Sequence, residues 1–159
     1  MKIPGKPALQ RGSMLLEGLI AIMIFSMGIL ALAGLQANAV KNTVDAKYRT
    51  EAAFLANQII GQMWVDNPAN LASYAHNPTA NAGTCSFVSA ASGNANVTAW
   101  LGNATTLGTV AGNLPGATAD KQQITVTAGT NVIQVTICWQ SPREATAHNY
   151  VAVAQVFNL

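Results

Sequence analysis

The chain has 159 residues, of which 50% are hydrophobic, 9% charged and 6% aromatic. The charged fraction is about a third of that in typical soluble domains, which argues against a disordered or nucleic-acid-binding chain. The net charge is +2, and three of the eight basic residues are Lys2, Lys6 and Arg11. Without these three the acidic side chains are in slight excess, so no basic patch remains.

The first forty residues contain the most apolar segment. Residues 13–40 have one charge, Glu17, and residues 19–35 have nothing more polar than Ser26. This run is close to the roughly 20 residues that an apolar helix needs to cross a bilayer. The basic residues before it favour a cytoplasmic N-terminus and translocation of the rest. We therefore predict a membrane-spanning helix rather than a buried core helix.

Three interpretations of this N-terminus compete. The first interpretation is a secretory signal peptide, for which Ala37-Asn38-Ala39 provides a cleavage site after Ala39. The apolar stretch is, however, longer than the usual ~7–15 residues of a signal peptide. The second interpretation is a plain uncleaved anchor. Neither of these gives a role to Glu17 at the start of the apolar segment, whereas the third does.

The third interpretation rests on residues 12–17, which read Gly12-Ser13-Met14-Leu15-Leu16-Glu17 after a short basic leader. This segment resembles the prepilin peptidase site of type IV pilins. The resemblance implies that a leader of residues 1–12 is removed by cleavage between Gly12 and Ser13. It also implies that Ser13 becomes N-methylated and that Glu17 is needed for assembly. Ser13 stands where phenylalanine is commonest.

A second resemblance concerns the type of pilin. Gly34 stands where major pilins usually carry a helix-kinking proline, which points to a minor subunit. Residues 28–36 are similar to the helix of PilV-type minor pilins, also called type IV pilus modification proteins. Beyond residue 66 the similarity rests on Trp100, on Leu114-Pro115-Gly116 and on a strand that ends in Cys138-Trp139.

The glutamate has a physical rationale. An ionised side chain at the centre of a membrane helix costs about 2.5–3.5 kcal/mol, and Glu17, near the helix end, costs less. Cleavage would supply a partner, the new amine of Ser13, in the same chain or in a neighbouring subunit. The positive end of the helix dipole also favours the carboxylate. Because an unpaired charge in an apolar filament core is heavily penalised, this pairing would set the axial register between subunits.

The helix signal continues to residue 66. Apolar residues recur every three or four positions, which is typical of an amphipathic helix; they are Val40, Val44, Tyr48, Ala52, Leu55, Ile59 and Met63. Asp66-Asn67-Pro68 ends the pattern. A helix over residues 13–66 is roughly 80 Å long at 1.5 Å per residue. We expect residues 13–40 in lipid or in a filament core and residues 41–66 under a globular head.

The head, residues 67–159, is predicted as α+β. Residues 67–96 are predicted as a loop and residues 96–110 as a short helix that presents Trp100, Leu101 and Leu107. Alternation predicts strands at 123–128, 132–139 and 149–157, the last apolar enough to be central. The second strand should place Ile133, Val135, Ile137 and Trp139 on one face. The resemblance implies a type IV pilin fold, a long helix packed on an antiparallel sheet.

Cys85 and Cys138 are the only cysteines. In an exported chain such a pair predicts a disulfide, and closing its loop would contribute about 4 kcal/mol on the chain-entropy model. The alternative is two separate buried thiols.

The sequence shows no set of residues that indicates catalysis. His76 and His148 are interpreted as surface or packing residues, and the acidic residues at the head are Asp66, Asp120 and Glu144. We assign no nucleophile motif, acid/base pair or phosphate-binding glycine loop. The sequence therefore predicts no enzyme activity, no cofactor and no metal site.

The function that fits best is a minor pilin that helps to prime type IV pilus assembly. Its expected partners are other minor pilins, the major pilin, the prepilin peptidase that also methylates, the inner-membrane assembly platform and membrane lipid around residues 13–40. We expect it in the bacterial inner membrane, with the head periplasmic, and near the pilus tip. Alternatives are a minor pseudopilin of type II secretion and a soluble periplasmic binding domain released after Ala39. Nothing in the charge supports nucleic-acid binding.

Overall fold

The computed structural model describes residues 11–79, 85–142 and 144–156, with side chains from Ser13 onward. The described residues form a long N-terminal helix and a three-stranded antiparallel sheet. Three short helical segments of the 3₁₀ or α type lie between them in the chain, and a further 3₁₀ turn directly precedes the first strand. This confirms an α+β chain. Contacts divide it into two compact units, Met1–Asp45 and Ala46–Leu159.

Helix α1 spans Arg11–Val65, so it begins two residues before the predicted start and ends one residue before the predicted end. It stops because Pro68 cannot continue an α-helix. The Asn67 side chain instead accepts a hydrogen bond from the Ala69 N–H at 3.0 Å and caps a 3₁₀ helix, Pro68–Tyr74. The chain therefore turns immediately after α1.

The apolar stripe of α1 changes its surroundings along the helix. In the first unit, Val40 and Val44 are exposed, as are the apolar side chains that precede them. In the second unit the stripe is half-buried at Tyr48 and fully buried from Ala52 to Met63. The second half of the predicted stripe is thus core packing surface.

The sheet consists of β1 (Gln122–Thr127), β2 (Val132–Trp139) and β3 (His148–Gln155) in the order β1-β2-β3. Both pairs are antiparallel, with Ile124 opposite Val135 and Val135 opposite Ala152. Strand β2 has the predicted bounds. The prediction that the last strand is central was wrong: β2 is central, and β3 pairs with β2 alone among the described strands. In β3 only alternate side chains are partly buried.

One face of β2 forms the main core of the second unit. Ile133, Val135, Ile137 and Trp139 are buried in one cluster with the α1 residues from Ala52 to Met63, which confirms the predicted face. The opposite face is covered at Cys138, where Cys85, Phe87 and Ala147 form a small second cluster. The helix and sheet layers are therefore held together by apolar burial, the main favourable term in folding.

The segment between α1 and the sheet is more structured than predicted. The predicted loop 67–96 contains the 3₁₀ helix, and the predicted helix 96–110 is replaced by α2 (Ala95–Leu101) and α3 (Val110–Asn113). Gly102 ends α2 with φ 56°, a conformation that glycine adopts readily. Leu107 consequently lies outside any helix and is 86% exposed, whereas Trp100 is buried and its Nε1–H donates to the Leu55 carbonyl at 2.9 Å.

Candidate assembly site

The predicted processing and assembly residues lie at the start of α1. Gly12 and Ser13 are the second and third residues of the helix, so the predicted cleavage point falls in its first turn. Ser13 and Glu17 are four residues apart and therefore lie on the same face of the helix, one turn from each other. Most of the predicted leader, residues 1–10, lies outside the described residues.

Glu17 lies at the start of the most apolar part of α1. Every described residue from Ser13 to Val44 is exposed, including Met14 at 79% and Leu16 at 63%. The helix is long and apolar enough to cross a membrane, with a mean hydropathy of 2.4 over its most apolar window. In such surroundings a carboxylate needs a cation or a set of hydrogen-bond donors. No described side chain makes a hydrogen bond or ion pair with Glu17 in the single chain.

Two hydroxyls of this segment differ from Glu17 because they bond within the helix. The Ser26 hydroxyl donates to the Ile22 carbonyl at 2.7 Å, and the Thr43 hydroxyl donates to the Ala39 carbonyl at 2.9 Å. Such bonds satisfy a hydroxyl without any partner from outside. Glu17 is the charged group between residues 13 and 40 that requires one.

The disulfide between Cys85 and Cys138 is present, with the two Cα atoms 5.7 Å apart. The alternative of two separate thiols was therefore wrong. The bridge attaches the segment around Phe87 to the central strand β2, and the Phe87 N–H donates to the Asp120 carbonyl at 2.7 Å. The disulfide has a structural role. It joins parts of the chain that are far apart in sequence, on the face of β2 away from the main core.

His76 is a buried packing residue. Its Nε2–H donates to the Ala119 carbonyl at 2.9 Å, and its Nδ1 accepts from the Ser92 N–H at 3.1 Å. Since a carbonyl only accepts and an amide N–H only donates, these two bonds select the neutral ring with its proton on Nε2. The ring thereby fixes two loops beside β1, a role that its isolated place in the sequence did not indicate.

His148 belongs to a pair that the sequence analysis missed. Its Nε2 lies 2.6 Å from Glu144 Oε2, and its ring stacks on Trp139 with a centroid separation of 5.8 Å. The spacing of four residues was the available signal, but it indicates contact only in a helix, and these residues lie in a loop and a strand. Both side chains are partly buried, so the pair anchors the loop before β3.

A polar network closes the C-terminal end of α1. The Tyr74 hydroxyl donates to Asp66 Oδ2 at 2.7 Å and accepts from the Asn96 side-chain amide at 2.6 Å. This hydroxyl, followed by the Asn70 side chain and the Asn67 N–H, lowers the pKa of the Asp66 carboxyl. Burial, followed by the bond to Asp66, raises the pKa of Tyr74. The network connects the residue that follows α1 with the 3₁₀ helix and α2.

Comparison of the chain with protein families, with curated proteins and with solved structures gave no match.

Proposed function

We propose that this protein is a PilV-type minor pilin with the type IV pilin fold. In this proposal the leader is cut between Gly12 and Ser13, Ser13 is N-methylated, and the subunit waits in the inner membrane with its head in the periplasm. It then joins other minor pilins to prime the pilus, through the assembly platform that also handles the major pilin.

The observation that carries the proposal is the position of Glu17. It is one helical turn after Ser13, at the start of an exposed helix whose residues 19–35 have nothing more polar than Ser26. A plain anchor has no use for a carboxylate at that place, whereas a cleaved subunit gains an amine beside it. The cost of leaving the charge unpaired then favours the assembled state, in which lipid is replaced by neighbouring helices.

The experiment is the mass of the N-terminal peptide of the protein from native-host membranes. We expect a peptide that starts at Ser13 and is heavier by one methyl group. A start at Val40 would overturn the proposal and favour a soluble periplasmic domain. An intact Met1, in a host with active prepilin peptidase, would overturn it in favour of a simple membrane anchor.

A further inference from the structure

Two asparagines between α1 and the sheet stand in the sequence pattern that N-glycosylation requires. Asn96-Val97-Thr98 and Asn103-Ala104-Thr105 each place a threonine two residues after an asparagine, with no proline between them. The pattern alone also arises by chance in a segment rich in Ala, Asn and Thr. An acceptor asparagine must in addition present its side-chain nitrogen to a transferase, so the surroundings of the two amides distinguish them.

The side chain of Asn96 is already used by the fold. Its Nδ2 donates to the Tyr74 hydroxyl at 2.6 Å, and this hydroxyl belongs to the network at the end of α1. Asn96 lies in α2, where the next residue, Val97, is fully buried and the Thr98 hydroxyl donates to the Ala95 carbonyl at 3.0 Å. A transferase could bind this segment only if α2 unwound and Val97 left the core.

Asn103 lies in an exposed loop between α2 and α3. Every residue from Gly102 to Gly108 is exposed, and the glycines at the two ends of this stretch have φ 56° and 80°. A surface loop of an exported domain is the setting in which the pattern serves as an acceptor. A transferase can therefore reach Asn103 without disturbing any buried residue.

The loop also fixes which atom of the Asn103 amide is available. Its Oδ1 accepts hydrogen bonds from the Thr105 N–H at 3.0 Å, the Thr105 hydroxyl at 2.6 Å and the Thr106 hydroxyl at 2.9 Å. Because a backbone N–H can only donate, the atom that faces it is the oxygen and not the nitrogen. No described group forms a hydrogen bond with Asn103 Nδ2. The atom that would receive a sugar is thus free in Asn103 and engaged in Asn96.

We propose that Asn103 is an N-glycosylation site and that Asn96 is not. The reaction forms a bond between Asn103 Nδ2 and the anomeric carbon of a sugar, while the bond from that carbon to a diphosphate leaving group breaks and the amide proton passes to a base of the transferase. The donor is an oligosaccharide attached to a lipid diphosphate, and the product carries a bulky, hydrated group on the surface of the head. The inference rests on the proposed function in one respect, that the head is exported.

The test is the mass of peptides from the full chain, prepared from native-host membranes and digested after denaturation. Cleavage after Trp100 by chymotrypsin places Asn96 and Asn103 on different peptides. We expect the Asn103 peptide to be heavier by whole sugar residues, with fragment ions that place the sugar on the side-chain nitrogen. The Asn96 peptide should be unmodified, which makes it the internal control.

Variants in the same loop separate the acceptor pattern from exposure. Asn103→Gln and Thr105→Ala break the pattern and should lower the glycosylated fraction at least about tenfold, whereas Thr105→Ser keeps the hydroxyl and should lower it less than about threefold. Thr106→Ala is the matched control, because it removes a hydroxyl that bonds to the same Oδ1 and leaves the pattern intact. We expect it to leave the glycosylated fraction unchanged. A cooperative denaturant transition shows that a variant is folded.

Four results would overturn the inference. They are an unmodified Asn103, a sugar on the hydroxyl of Thr105 or Thr106, a glycosylated fraction at Asn96 equal to that at Asn103, and an equal loss in Thr106→Ala and Thr105→Ala.

The N-terminal peptide of the same sample distinguishes the two proposals. A start at Ser13 together with an unmodified Asn103 refutes the glycosylation alone. A glycosylated Asn103 in a chain that starts at Val40 refutes the pilin function alone, because a released periplasmic domain is exported as well.

Discussion

Substitution of Glu17 gives the most direct test of the proposed function. We expect Glu17→Gln to leave cleavage before Ser13 and membrane insertion intact, because the amide keeps the shape of the side chain. The amide cannot pair with an amine as a carboxylate does, so the amount of this subunit recovered in sheared pili should fall about tenfold or more, equivalent to at least about 1.4 kcal/mol. The measurement is quantitative mass spectrometry of pili and membranes.

The matched control for this change is Ser26→Ala, in the same apolar helix. The Ser26 hydroxyl bonds to its own helix at Ile22, so its removal should leave the pilus fraction unchanged. Wild-type incorporation of the Glu17→Gln chain would contradict the role assigned to the carboxylate.

Tyr74 offers a test of the network at the end of α1. We expect Tyr74→Phe to lower the free energy of unfolding by about 1–2 kcal/mol near neutral pH, since the buried hydroxyl makes one bond to a carboxylate and one to an amide. The measurement is denaturant unfolding of the full chain in detergent, followed by the fluorescence of the buried tryptophans. An unchanged midpoint would show that water replaces the hydroxyl.

The same network makes a prediction about pH. The folded-state pKa of Asp66 is lowered, so its contribution is present above the unfolded-state pKa of about 3.9 and is lost as the pH falls through the folded-state value. The pKa of Tyr74 is raised, so its contribution is present below about pH 10 and is lost as the pH rises through the folded-state value. The difference between wild type and Tyr74→Phe should therefore shrink in strong acid and in strong base.

Gly102 decides where α2 stops. Its backbone, with φ 56° and ψ −151°, lies in a region open almost only to glycine, and an added Cβ would collide with the Thr109 side chain. We expect Gly102→Ala to destabilise the chain by about 2 kcal/mol or more, measured by the same denaturant unfolding. Gly93→Ala is the control, because a Cβ there meets open space and should change stability by less than about 0.5 kcal/mol.

Strand β3 shows the limit of composition at the level of an element. Its valines and alanines predicted a central strand, but whether a strand is central depends on how many neighbours pair with it, and β3 pairs with β2 alone among the described strands. In the structure, exposed and half-buried residues alternate along β3, whereas a strand buried on both faces has no such alternation; the apolar sequence of residues 150–154 does not show this difference.

The disulfide acts on the whole second unit, since it joins residues 53 positions apart. We expect the double variant Cys85→Ala/Cys138→Ala to lose about 2–4 kcal/mol, because the unfolded chain regains the entropy that the closed loop removes. The measurement is the denaturant midpoint of the full chain with and without reductant. Reductant should lower the wild-type midpoint to that of the double variant and leave the double variant unchanged. A wild-type midpoint that does not move once both thiols react with an alkylating reagent would contradict this account.

Much of the long helix and the central strand could be predicted from the sequence, because their signals are local. Helical spacing from Tyr48 to Met63 and alternation from Val132 to Trp139 reflect the periods at which side chains return to one face. The Cys85–Cys138 bridge followed from the two cysteines and the expectation of export. The position of Glu17 was visible as one charge in an apolar run.

Tertiary structure alone decided the features that depend on distant partners. The cover of His76 over β1 and the contact of Glu144 with His148 each require segments that lie far apart in the chain or outside a regular helix to meet. The sequence by itself determined which faces are apolar and where one helix begins and ends within two residues. Which face covers which, and which of the described strands is central, follow from packing, because burial is non-directional and many arrangements satisfy the same local periods.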